Sequence, residues 1–294
     1  MNAIPASGGF APWVVPLRAS GTRPPLFCAC AGGGDALDYR DLALALPEDQ
    51  PVYSFGMPTL ADGAAFPTVL QLAAIYVGAV RSLQPHGPYH LCGHSFGGLV
   101  AYEMAALLAR AGERVRLVAV LDALHPAYKL RMSRRERAVF QLLYVADRLW
   151  KYARSLGRGR PDRVLRDAAR FVAGRTKRLY WRLVRVVFGR LGQAPPALLR
   201  SDSLVLAAAW HGYAAQDHDV PLVLFNATDR PAEFRRDRTL GWQACVSRPF
   251  AVHLVPGDHY SLLHPPHVQV LADRLAPYLG APLRSGRAVE TAAT

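Results

Sequence analysis

Gly93-His94-Ser95-Phe96-Gly97 stands between an apolar run, 89–92, and a helix-like stretch, 98–110. That setting marks Ser95 as a nucleophile lifted on a sharp strand-to-helix turn. Side chains at positions 93 and 97 would crowd the bend, and glycine removes them. The plainer alternative is a glycine-rich turn carrying an inert serine. A serine hydroxyl is a poor nucleophile at neutral pH, so the reading requires a base and a group that orients the base. Of ten histidines, His259 is the one in a Gly257-Asp258-His259-Tyr260 turn that follows a strand-like run, 251–255, late in the chain. His94 adjoins the nucleophile but points away from the serine oxygen and is read as structural. His253, His264 and His267 are read as packing or solvent-exposed residues. Two carboxylates compete to orient the base: Asp122 ends the apolar run 115–121, and Asp229 follows the run 221–227. Both ends face the side of an open α/β sheet where sites form, so either could reach His259. Asp258 is set aside because side chains adjacent in sequence diverge.

Short apolar runs alternating with helical stretches must position these residues. Strands are expected at 13–17, 26–30, 52–55, 89–92, 115–121, 222–226 and 251–255, and helices near 36–46, 67–83, 97–111, 203–215, 238–245 and 266–279. The repeated strand, helix, strand order predicts a mostly parallel sheet covered by helices on both faces. Residues 63–80 carry no charge, but Pro67, Thr68, Gln71 and many alanines dilute their hydrophobicity. A helix packed on the sheet is expected there rather than a membrane span. The alternation fails between about 128 and 200, a long, basic, helical insertion. The expected organisation is an N-terminal segment, 1–24, a core formed by 25–127 and 201–280, the insertion 128–200, and a flexible tail, 281–294.

At this point the chain resembles a known family, the thioesterase domains that release products from polyketide and non-ribosomal peptide synthetases. The likeness runs from about Pro25 to Leu279, the insertion apart. It is carried by Pro25-Leu26-Phe27-Cys28 leading to Gly32-Gly33-Gly34, then Tyr39-Arg40-Asp41-Leu42, Gln50-Pro51-Val52-Tyr53, the serine turn, Leu121-Asp122-Ala123, Gly241-Trp242, and Val255-Pro256-Gly257-Asp258-His259-Tyr260-Ser261-Leu262-Leu263. The resemblance implies an α/β-hydrolase fold with a helical lid inserted after the acid, and it favours Asp122 over Asp229. Free-standing editing thioesterases of the wider superfamily use the later strand, which keeps Asp229 in view. It also implies an oxyanion hole made by the backbone N–H groups of Phe96 and Gly32. The chain departs from the pattern where Cys30-Ala31 replace the His-Pro of many relatives, and Cys30 is read as a packing residue.

Composition fits one catalytic domain: 294 residues, 51% hydrophobic, suffice for a single large α/β core with an insertion. Cys28, Cys30, Cys92 and Cys245 show neither zinc-site spacing nor the density of a disulfide scaffold, and 1–24 lacks the pattern of a secretion signal. A cytoplasmic location is expected. The net charge is +13, and residues 129–200 hold 20 Lys or Arg against 4 Asp or Glu, so the whole excess lies in the insertion. Arg134, Arg135, Arg137, Arg175, Lys177 and Arg178 exemplify it. Acyl or peptidyl carrier proteins, the substrates that the resemblance implies, are typically acidic, and a basic lid would steer them to Ser95. Contact with an anionic membrane ranks below this reading. Nucleic acid is not expected, since no recognition motif accompanies the charge, and a merely solvated basic face is the partnerless alternative.

The expected activity is release of an acyl, polyketide or peptidyl chain from a carrier's phosphopantetheine arm, by hydrolysis or ring closure through an acyl-Ser95 intermediate. Action in trans is expected because no carrier domain is attached. No metal or redox cofactor is called for. The alternatives are a carboxylester hydrolase and a silent carrier-binding protein.

Overall fold

A computed structural model describes residues 11–58, 67–128, 132–157, 216–230, 237–246 and 250–280, with single positions between 176 and 213 and at 234 and 248. Among the described residues seven strands form one sheet: β1 (Val14–Arg18), β2 (Leu26–Ala29), β3 (Val52–Phe55), β4 (Tyr89–His94), β5 (Val115–Leu121), β6 (Leu222–Ala227) and β7 (Ala251–Val255). Their order is β1-β3-β2-β4-β5-β6-β7. Only β1 runs antiparallel, paired with β3 through a register shift between Pro16 and Arg18. A proline without an N–H is tolerated on such an edge. Because β1 lies within segment 1–24, the sheet takes in residues ahead of position 25.

The inner strands are almost wholly buried, which is why they read as continuous apolar runs rather than alternating ones. Their side chains divide between two cores. On one face Phe27, Tyr53, Leu91, Val118 and Val120 meet helices α2 (Val69–Leu83) and α3 (Phe96–Arg110). On the other Leu26, Cys28, Cys92, Ala119 and Leu121 meet α1 (Arg40–Ala45) and the last helix, His267–Gly280. Within the uncharged stretch 63–80, the described residues 67–80 hold the start of α2. α2 starts after Pro67 with a reciprocal cap, in which Thr68 Oγ1 accepts from Gln71 N–H and Gln71 Oε1 from Thr68 N–H. Among the described residues no helix is long and apolar enough to cross a membrane. A seven-stranded, mostly parallel sheet layered between helices is the α/β-hydrolase architecture.

One expected helix is corrected. Residues 238–245 hold only a 3-10 turn, Trp242–Ala244. Asp237 draws the chain into a tight loop, its carboxylate accepting from Thr239 N–H and Oγ1 and from Gly241 N–H at 2.6–2.8 Å. Leu240 and Gly241 then take positive φ, 50° and 85°, which an α-helix excludes. The loop seats Trp242, fully buried, with its indole N–H on the Ala123 carbonyl at 2.8 Å.

Of the insertion, helix α4 (Arg134–Gly157) is described. Ser133 and Glu136 cap it reciprocally. Phe140 anchors it, packing edge-on against Phe234 and Tyr128, while Arg134, Arg135 and Arg137 are exposed. Arg175, Lys177, Arg178 and the tail 281–294 lie outside the described residues.

Candidate active site

The parallel register carries β4 and β5 to the same edge of the sheet, with His94 opposite Leu121. Ser95 therefore leaves β4 beside the point where Asp122 leaves β5. Ser95 has φ 55° and ψ −119°, outside the regions that non-glycine residues ordinarily occupy. Its N–H is anchored on the Leu121 carbonyl at 2.9 Å. The flanking glycines show why the turn admits no side chains. A Cβ at Gly93 would lie 2.0 Å from the Gly97 carbonyl oxygen, and one at Gly97 would lie 2.4 Å from the Ala29 carbonyl oxygen. Ser95 precedes α3 without capping it, which leaves its Oγ for another partner.

That partner is His259, whose Nε2 lies 3.1 Å from Ser95 Oγ. His259 Nδ1 lies 2.7 Å from Asp122 Oδ2. With the acid ionised, Nδ1 carries the proton and donates it to Asp122, leaving Nε2 to accept from the serine hydroxyl. Asp122 itself has φ 49° and continues the β5 ladder by donating its N–H to the Phe225 carbonyl at 2.8 Å. Its other oxygen, Oδ1, accepts from the Ala227 N–H at 2.7 Å and from the Arg230 guanidinium. Burial pushes this carboxyl up, but the His259 ring, the Arg230 charge and the Ala227 N–H together outweigh it and hold it at about 2. It is a carboxylate at neutral pH.

The other candidate acid does not meet the base. Asp229 is exposed, and its Oδ1 lies 3.5 Å from Thr228 Oγ1. Its backbone, not its carboxylate, serves the site: the N–H donates to the Gly257 carbonyl at 2.9 Å, tying the loop after β6 to the one that bears His259. That second loop is also built from local bonds. Gly257 takes φ 96°, Asp258 Oδ1 accepts from the N–H groups of Tyr260 and Ser261, and Ser261 Oγ accepts from Asp258 N–H. Asp258 thus shapes the turn rather than orienting the imidazole.

His94 does point away from Ser95 Oγ, and it has a definite partner. Its Nε2 donates to the His259 carbonyl at 2.8 Å, with the two rings 4.7 Å apart. Burial first, then the charge available to His259, pushes the His94 imidazole down to about 4, so it is neutral at pH 7 and the donating tautomer persists. His253 stacks on Phe225 and meets the Tyr278 hydroxyl, and His264 pairs with Asp41 at the surface.

Gly32 lies in a turn closed by Gly34 N–H on the Ala31 carbonyl at 3.0 Å. A Cβ on Gly32 would sit 4.0 Å from the Phe96 Cβ, so this loop faces the first residue of α3. Cys30 is buried and accepts from the Tyr76 hydroxyl at 3.1 Å. Three contacts escaped the sequence: Arg230 on Asp122, His94 on the His259 carbonyl, and a buried phenol, Tyr39, whose hydroxyl touches both β2 and β4. Arg230 follows Asp229 directly, but no local pattern distinguishes it from other surface arginines.

The family model described as "Thioesterase domain" matches residues 24–277. Among curated proteins, Chondramide synthase cmdD of Chondromyces crocatus is 32% identical over 275 residues, 89% of this chain and 7% of that protein. The probable non-canonical nonribosomal peptide synthetase CymA of Salinispora arenicola is 31% identical over 283 residues, 91% of this chain and 3% of that protein. The chain therefore spans a small fraction of these relatives. Among solved structures, the NocB thioesterase domain from the nocardicin cluster superposes with a TM-score of 0.59 at 25% identity, covering 92% of this chain and 99% of that one.

Proposed function

Since the chain belongs to the thioesterase domain family, and its relatives include a chondramide synthase and a probable nonribosomal peptide synthetase, we propose that it is a serine thioesterase that frees an acyl, polyketide or peptidyl chain from a carrier protein. The observation that carries the reading is the unbroken hydrogen-bonded line from Ser95 Oγ through His259 to Asp122.

In this reading His259 Nε2 takes the Ser95 proton as Oγ attacks the thioester carbonyl. Asp122, fixed by Arg230 and the Ala227 N–H, stabilises the imidazolium that forms. The N–H groups of Phe96 and Gly32 receive the oxyanion, at the start of a helix whose dipole adds to the effect. The tetrahedral species collapses with transfer of the His259 proton to the departing phosphopantetheine thiolate, leaving an acyl-Ser95 ester. Water, deprotonated by the same imidazole, then hydrolyses the ester. Alternatively an amine or hydroxyl of the acyl chain attacks it and closes a ring. The chemistry uses no cofactor beyond the arm that carries the substrate.

The carrier is the proposed partner, acting in trans and drawn by the basic insertion, whose described exposed arginines include Arg134, Arg135 and Arg137. The insertion serves as the lid. Four free, buried thiols suit a reducing cytoplasm, where we place the protein.

Incubation with acyl-carrier thioester followed by mass spectrometry tests the proposal. Acyl-Ser95 is expected on the wild type and absent from Ser95→Ala, with turnover lost. An unlabelled serine together with full turnover in Ser95→Ala would refute it, and a strong preference for matched oxygen esters would redirect it to a carboxylester hydrolase.

A further inference from the structure

Tyr39 is fully buried, and the proposed chemistry gives it no task. Its surroundings do. In the β2–β4 ladder Ala29 lies opposite Gly93. A parallel pairing then calls for the next rung to run from His94 N–H to the Ala29 carbonyl. The orientation of β2 agrees: Leu26 N–H points the other way, to the Pro51 carbonyl at 2.9 Å, so the odd-numbered residues of β2 address β4. His94 N–H donates to the Tyr39 hydroxyl at 2.7 Å, and that hydroxyl donates to the Ala29 carbonyl at 2.6 Å. One side-chain oxygen thus bonds both backbone groups at the end of the β2–β4 ladder.

This hydroxyl stands at a particular place. Strand order β1-β3-β2-β4-β5 sends the chain outward in one direction after β2 and in the other after β4, so the crevice between these strands is the topological switch point of the sheet. Beyond Ala29 the chain turns through Cys30 and Ala31 to Gly32, and beyond His94 it reaches Ser95 and Phe96. The two strand ends therefore carry the two loops that flank the reacting carbonyl. A hydroxyl bonded to both strand ends fixes their separation where these two loops leave the sheet. An error of about 1 Å in such a site is worth on the order of 100-fold in rate.

We propose that Tyr39 is a positioning residue whose hydroxyl sets the gap between the Gly32 loop and the Phe96 N–H, and so the spacing of the two oxyanion donors. The proposal rests on the thioesterase reading above. The phenol suits the role because burial, reinforced by the neighbouring Cys92 and Cys28, raises it well above the usual tyrosine range. It stays protonated and keeps both its bonds.

Tyr39→Phe retains the ring and deletes both hydroxyl bonds, freeing the two strand ends to shift against each other. The wild type is first titrated with a fluorophosphonate, and absence of Ser95 labelling there ends both readings together. With labelling established, Tyr39→Phe is expected to lower kcat on a thioester about 10- to 100-fold with KM within about threefold. Affinity for an alkylboronic acid, which adds to serine as a tetrahedral anion, should fall by a similar factor, while a non-hydrolysable thioether analogue binds equally. Replacing Tyr39 with 3-fluorotyrosine keeps the hydroxyl and should keep kcat. The proposal alone is overturned if kcat of Tyr39→Phe stays within about twofold of wild type, or if thioether affinity falls as far as boronate affinity. It is overturned too if the thermal unfolding midpoint collapses with the activity, or if fluorotyrosine is as damaging as Phe.

Discussion

Asp122 and Asp229 follow neighbouring strands, and what distinguishes them is the set of donors each one meets. Asp122 is 7% exposed and receives the His259 ring, the Ala227 N–H and Arg230, whereas the Asp229 carboxylate faces solvent. Asp122→Asn leaves the imidazole in the wrong tautomer and should lower kcat by about 10⁴. Asp229→Asn should leave kcat within about twofold, since only the backbone of that residue is used; steady-state rates on one thioester compare the two directly. Ser95, His259 and both acids were legible because each sits at the end of an apolar run, and a run with its exit can be read locally. Arg230, His94 and Tyr39 were not legible in their roles, because each acts on a residue brought near only by folding. The choice of Asp122 over Asp229 came from the family likeness, and the donors around the carboxylate supply its physical reason.

At the scale of elements, the serine turn works because two backbones pass where side chains would be. Gly97→Ala would drive a methyl into the Ala29 and Cys30 carbonyls, at 2.4 and 2.7 Å. Neither oxygen can yield without disturbing the end of β2. We expect a loss of about 1–3 kcal/mol in urea unfolding, together with loss of most activity, because the strain is relieved by shifting the nucleophile. All seven strands were anticipated from their apolar runs; in the inner strands burial on both faces writes hydrophobicity into nearly every position. The helix expected at 238–245 was not formed. Its pattern is helical enough, but Asp237 and the left-handed pair Leu240-Gly241 override propensity with a side-chain-capped loop. β1 was visible as a strand, yet its place in the sheet was not, because pairing with β3 is a long-range choice.

For the molecule as a whole, two buried imidazoles set the acid side of stability. Burial pushes both His90 and His94 down to about 4, helped by Arg116 in the first case and His259 in the second. The unfolded chain, with ordinary histidines near 6.5, binds more protons than the folded one between roughly pH 6.5 and 4, so stability falls as pH falls through that window. Each imidazole costs about 2 kcal/mol at pH 5 relative to pH 7, and the urea midpoint should drop accordingly. Asp122, depressed to about 2, adds a further loss only below about pH 4. The charge of the insertion predicts a second global property. If it attracts an acidic carrier, KM for carrier-borne thioester should rise steeply with salt, while KM for a small synthetic thioester stays flat. Exchange of Arg134, Arg135 and Arg137 for Glu should raise the first KM several-fold and spare the second. Trp242 gives the protein a native optical handle on all of this. Its indole N–H is bound to the carbonyl of Ala123, immediately after the acid, and its ring is sealed from solvent between Tyr102 and His125. Its emission responds to the electric field at that strand end, so build-up and decay of the proposed acyl-Ser95 state can be timed by stopped-flow fluorescence without a dye, as the part of the signal lost in Trp242→Phe, which keeps the other four tryptophans.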